Sequence, residues 1–146
     1  MKNKKEDKGR ILNFWKEELP RIILGAHKEL SIALIIFVVA ILLGGISARN
    51  DAGFVRLILG DQYVNQTLEN IRQDDPMAIY KSAQEWDMFL AITLNNIRVS
   101  FLAFSMGLFF SFGTGYILFS NGVMIGAFHY MFLERNLLWE AMLTIY

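Results

Sequence analysis

Thirty-five consecutive residues, Val99 to Leu133, pass without a single Asp, Glu, Lys or Arg. As one helix the run would extend about 52 Å, whereas the hydrocarbon core of a bilayer is about 30 Å thick. One straight crossing cannot use all of it. Within the run, Ser120-Asn121-Gly122 is a turn signal, placed where a first crossing of about 31 Å would end. The pattern predicts a transmembrane helix over 99–119 and a separate hydrophobic segment over 122–146.

A second uncharged run, Leu30 to Ala48, is nineteen residues long and suffices for one crossing. It starts deep in the chain, behind a charged segment and without a small-residue cleavage pattern. That argues for a retained span over 30–48 and against a removed signal peptide. Hydrophobic residues make up 54% of the chain and charged residues 19%, a balance unlike that of a soluble domain. The expected fold class is all-α: a polytopic helical membrane protein with an N-terminal amphipathic helix and an extracytoplasmic helical connector. With no cysteine, disulfide frameworks, thiolate metal sites and lipoprotein anchors are excluded.

Net charge is zero, but it is unevenly spread. Eight Lys/Arg and five acids precede the first span; five Lys/Arg and seven acids lie between the spans. The positive-inside bias therefore puts the N-terminus in the cytoplasm and the connector outside, although Arg49 and Arg98 flank the membrane on that outer side.

Residues 1–29 read as a cytoplasmic tail and an interfacial helix. Met1 to Arg10 are polar and expected to be disordered. From Ile11, the residues Leu12, Trp15, Leu19, Ile22, Ile23, Ala26 and Leu30 recur at helical spacing, with Lys16, Glu17, Arg21 and Lys28 between them. Such a stripe suits a helix lying in the inner headgroup layer, or one packed on other cytoplasmic parts. Pro20 should kink or divide it.

The connector, 49–98, also reads as helical. Phe54, Leu57, Ile58, Val64, Leu68 and Ile71 form one stripe broken at Gly60-Asp61, and Asp75-Pro76 is a helix-start signal. The apolar face of Met77, Ile79, Tyr80, Ala83, Trp86, Phe89 and Leu90 follows it. Beyond Asn121 only twelve uncharged residues precede Glu134, about 18 Å of helix. That length suits a short or re-entrant segment, and the chain then stops inside an apolar pattern. The expectation is the N-terminal part of a longer protein.

Small residues recur every fourth position at Ala103, Gly107, Ser111 and Gly115, on one face of a continuous helix. Ala40, Gly44 and Ala48 repeat the spacing in the first span, as do Gly122 and Gly126. Such faces let helices approach closely, within one chain or between copies; a path lined by small residues is the functional alternative. Asn95, Asn96 and Arg98 gather at the expected outer mouth of the second span, where they could anchor to headgroups or bind a partner. Glu140 becomes a buried carboxylate if the last stretch enters the bilayer, and a solvated one with Glu134 and Arg135 if it does not.

Enzyme signatures are weak or missing. His27 and His129 lie on different segments, outside any His/Cys/carboxylate cluster of metal-ligand spacing. Gly113-Thr114-Gly115 lacks the context and the lysine of a phosphate loop. The N-terminal lysines lack interleaved aromatics, so they read as topology signals and attraction to anionic lipid, not as a nucleic-acid surface. No cofactor is expected.

The stretch Asn95-Asn96-Ile97-Arg98-Val99-Ser100, followed by Gly113-Thr114-Gly115-Tyr116, Asn121-Gly122 and Gly126-Ala127-Phe128, resembles the stage II sporulation protein M family. The likeness is strong from Asn95 to Phe128 and only general over the first span. It implies a polytopic helical membrane protein of bacteria or archaea. In spore formers the named member works in engulfment, with membrane-anchored cell-wall hydrolases; most relatives occur in organisms that do not sporulate. Members usually continue with a His-Gly-x-x-Glu segment and further spans, which supports the expectation of a longer protein. No catalytic role attaches to the matching residues.

The expected function is that of a non-enzymatic scaffold or assembly component of the bacterial envelope. Its partners would be the lipid bilayer and other proteins, or further copies met through the small-residue faces. The alternative is the membrane subunit of a permease or channel, motivated by the short third segment and Glu140. An intramembrane hydrolase ranks third, because its nucleophile and base would have to come from elsewhere.

Overall fold

The computed structural model describes residues 4–78, 85–110 and 112–145, and among them every regular element is a helix. The chain divides into two units, 1–35 and 36–146, each described by itself.

In the first unit, helix α1 (Lys4–Asn13) passes through a π-helical turn, Phe14–Glu18, into α2 (Leu19–Gly25). Pro20 explains the π turn. Proline has no N–H to donate, and its ring crowds the carbonyl four residues back. The backbone widens just before it, and the Leu19 N–H donates to the Phe14 carbonyl. None of the residues from Phe14 to Gly25 is buried, and Ile11, Leu12, Trp15, Ile22, Ile23 and Leu24 stand exposed. Helix α3 (His27–Asn50) begins in this unit.

The second unit holds the remainder of α3, then α4 (Ala52–Leu59), α5 (Asp61–Arg72), α6 (Glu85–Phe109), α7 (Gly113–Leu133) and α8 (Leu138–Ile145). Asp51 caps α4, its carboxylate accepting from the Gly53 N–H at 2.8 Å. Gly60, at φ 86° and ψ 143°, divides α4 from α5 in a conformation that a side chain would oppose. Arg56 spans the break, donating to Asp61 at 3.0 Å and to Asn65 at 2.7 Å.

Two helices end in the same way. Asp74 (φ 57°) closes α5, with the Asp75 N–H donating to Asn70 O and the Asp74 N–H to Ile71 O. Asn136 (φ 59°) closes α7, with Leu137 donating to Phe132 O and Asn136 to Leu133 O. Both are Schellman caps with a left-handed residue that is not glycine.

The core lies where the end of α3 meets α4, α5, the last turns of α7, and α8. It contains Ala48, Val55, Val64, Met77, Ala127, Met131, Phe132 and Ala141. Phe128 stacks obliquely on Phe132 at 5.0 Å and lies 6.3 Å from Tyr63.

Among the described residues three helices are long and apolar enough to cross a membrane: His27–Asn50, Phe89–Phe109 and Gly113–Leu133. The protein is thus an all-α polytopic membrane protein. The boundary expected at Ser120-Gly122 is corrected: α7 runs unbroken through it, and the break falls between the end of α6 at Phe109 and the start of α7 at Gly113. Helix α6 begins well before Val99, and its candidate membrane stretch includes Arg98. The third segment lies within a 21-residue helix long enough to cross, with α8 a separate element after Asn136. Two interactions make the interior Asn-Gly compatible with helix. The Asn121 amide donates to Ile117 O at 2.9 Å, one turn back, and Gly122 is used for helix contact. Of the helix expected after Asp75-Pro76, 79–84 lie outside the described residues, and Trp86, Phe89 and Leu90 belong to α6.

Candidate functional site: a glycine seam and a polar span

Ala40, Gly44 and Ala48, one per turn, are the buried residues of α3. Ala40 faces Gly122 of α7, and Gly44 faces the Val123 backbone. A Cβ on Gly122 would lie 2.6 Å from the Cβ of Ala40 and 2.8 Å from Phe37 O; one on Gly126 would lie 2.8 Å from Gly45 N. A Cβ on Gly44 would strike the Val123 backbone at 2.9 Å. Contacts advance together along both helices, from Phe37 with Gly122 to Gly45 with Gly126, so α3 and α7 run parallel. Without a hydrophobic drive between helices in lipid, such backbone approach is what holds them.

Antiparallel to α7, α6 is joined to it by the turn at 110–112. The Thr114 hydroxyl donates to Ala103 O at 2.8 Å, tying the two helices near the turn. Gly107 makes room for that hydroxyl, since its missing Cβ would fall on Thr114 Oγ1. Gly113 lies against Met106 in the same way. The ladder Ala103, Gly107, Ser111, Gly115 is therefore not one helical face. The turn cuts it, Ser111 lies outside the described residues, and Gly115 has open space where a Cβ would be.

Asn95, Asn96 and Arg98 lie within helix α6, on a stretch long and apolar enough to cross a membrane. In the 21-residue window Phe89–Phe109, Arg98 is the tenth residue and the only charged one. By helical rise it stands about 13 Å from one end and about 17 Å from the other. All three side chains are exposed, and none makes a hydrogen bond or ion pair among the described residues. Asn95 and Arg98, three apart, share a face. Thr93, Asn96 and Ser100 line the adjacent face with Ile97, Phe101 and Phe104, forming a shallow groove. The span expected from the charge pattern starts after the arginine, whereas the candidate stretch of α6 includes it. The apolar stretch Phe89-Leu90-Ala91-Ile92 is the signal that the helix has already entered.

Glu140 is exposed on α8, and its carbonyl accepts from the Thr144 hydroxyl at 2.9 Å. Glu134 pairs with Arg135 at 3.1 Å, and Arg135 also donates to Met131 O at 2.6 Å. His129 places Nδ1 2.8 Å from Ile125 O within its own helix. Among the described residues no cluster of three His, Cys, Asp or Glu side chains could hold a metal ion.

The family model for stage II sporulation protein M matches residues 33–146, which takes in α4 to α8 and most of α3. No curated protein and no solved structure matches the chain. The family match covers well over half of the sequence and contains both the glycine seam and the polar span, so this chain belongs to the stage II sporulation protein M family.

Proposed function

We propose that the protein is a non-enzymatic membrane scaffold that gathers envelope partners, with its N-terminus in the cytoplasm and the α4–α5 connector outside. The contrast between two spans carries this reading. Helix α7 is packed on one side through glycine, with 28% of its membrane window buried; the window of α6 has 0% buried. A helix with no buried position keeps its faces available for lipid and for other helices. The connector adds exposed apolar side chains beside it, Leu57 at 80% and Trp86 at 72% of full exposure.

The features that would motivate a permease are a short third segment and an intramembrane Glu140. The third span is instead full length, and Glu140 stands exposed on α8. The scaffold reading is the better supported.

Photo-crosslinking side chains placed at Leu57 and at Trp86 in intact cells test it. The expected result is a discrete adduct with an envelope protein from both positions. Adducts with lipid and with the chain itself alone would overturn the reading.

A further inference from the structure

The segment that leads into α3 is helical from Lys4 to Gly25, and it buries none of the side chains from Phe14 to Gly25. In its first half Ile11, Leu12 and Trp15 share a face, and Phe14 packs edge to face on Trp15 with ring centroids 5.8 Å apart. Trp15 is still 62% exposed. In α2, Leu19, Ile22 and Ile23 fall at i, i+3 and i+4, again one face, with Ile22 61% exposed and Arg21 on the opposite side. The π turn carries the helical path up to Pro20 and on into α2, so both apolar faces belong to one segment.

Position, charge and side-chain type together indicate what meets this segment. It joins α3, a candidate membrane span, through the single residue Ala26, whose backbone (φ −96°, ψ 16°) leaves helical geometry between the two. The first turn of α3 holds His27, Lys28 and Glu29, and its uncharged run starts directly after them. The segment is therefore tethered at the bilayer surface. Residues 1–29 carry eight Lys/Arg against five acids, a positive balance that complements anionic headgroups. Arg10, Lys16, Arg21 and Lys28 are spread along the helices, and all four are exposed. Long basic side chains lay their stems on apolar surface and carry the charge out to phosphate. Tryptophan and phenylalanine beside aliphatic residues suit the boundary between headgroups and acyl chains.

We propose that α1, the π turn and α2 form a docking element for anionic phospholipid. Ile11, Trp15, Ile22 and Ile23 enter the upper acyl region, while Arg10, Lys16, Arg21 and Lys28 bind lipid phosphates. The inference stands apart from the scaffold reading and needs no protein partner. Each cation near an anionic surface gains about 1 kcal/mol, so the positive balance makes lipid composition matter. Apolar burial alone would not distinguish an anionic from a zwitterionic surface.

The test uses the full chain in vesicles of phosphatidylglycerol or of phosphatidylcholine, with Trp86→Phe and Trp139→Phe leaving Trp15 as the one tryptophan. Lipids brominated high on the acyl chain quench an inserted ring, and aqueous acrylamide quenches an exposed one. In phosphatidylglycerol the brominated lipid should quench Trp15 and acrylamide should not. In phosphatidylcholine the lipid quenching should be about twofold weaker or less. Arg10→Gln, Lys16→Gln and Arg21→Gln together should make the two vesicle types alike, with unchanged helicity showing that the fold is kept. Ile22→Asp with Ile23→Asp should open Trp15 to acrylamide in both. Equal lipid quenching of the unaltered segment in the two vesicle types would overturn the proposal. So would a Trp15 open to acrylamide in phosphatidylglycerol, or one shielded from both quenchers, which would mean that protein covers the face.

Discussion

The Cβ that Gly122 lacks would lie 2.6 Å from the Cβ of Ala40, so α3 and α7 meet with no room for one further methyl group. Overpacking a close-packed contact costs about 1–3 kcal/mol. Gly122→Ala and Gly126→Ala should each destabilise the protein by that order. Gly115→Ala is the internal control. Its Cβ enters open space, and replacing glycine inside a helix gains about 0.5–1 kcal/mol. Thermal unfolding in mild detergent, followed by loss of helicity, separates the three. Equal destabilisation by all of them would show that the seam is not where the structure puts it.

Thr114 and Gly107 act as one unit at the α6–α7 turn. Thr114→Val keeps the shape and loses the bond to Ala103 O, at a cost of about 0.5–1.5 kcal/mol. Gly107→Ala should impose a similar loss by displacing the same hydroxyl. Because both remove one interaction, the double variant should be less destabilised than the sum of the singles. Strict additivity in an unfolding titration would contradict the contact.

Asn136 ends α7 in a left-handed conformation that β-branched residues resist. Asn136→Gly should leave stability unchanged or raise it slightly, while Asn136→Val should lower it by about 1 kcal/mol. The melting temperature of each variant in detergent decides the matter. Tolerance of valine would mean that the cap is not formed.

Where these features were legible depends on which solvent a residue meets. α3 is plain in the sequence, because nineteen uncharged residues in lipid have no choice but helix. Gly60 is also plain, since a glycine ahead of an acid interrupts the connector stripe. The turn at 110–112 is not. Asn121-Gly122 is the stronger turn signal in water, but in a packed membrane helix the amide bonds one turn back and the glycine becomes a contact. Phe110 and Phe112 carry no turn chemistry, and only Gly113 and Thr114 mark the place. Asn136 is hidden for a different reason: its cap depends on backbone bonds to Phe132 and Leu133, not on a side-chain pattern. For Arg98, the rule that spans begin after the nearest charge starts the span at Val99, whereas the candidate stretch of α6 includes the arginine.

The helical frame rests most directly on where α6 turns into α7, and the absence of cysteine makes that measurable. Single cysteines at Phe110, Phe112, Ser120 and Asn121, in sealed vesicles of known orientation, would be exposed to a membrane-impermeant maleimide. The account predicts fast labelling at 110 and 112 from one side only, with 120 and 121 protected until detergent is added. Fast labelling at 120 and 121 with protection at 110 and 112 would contradict it.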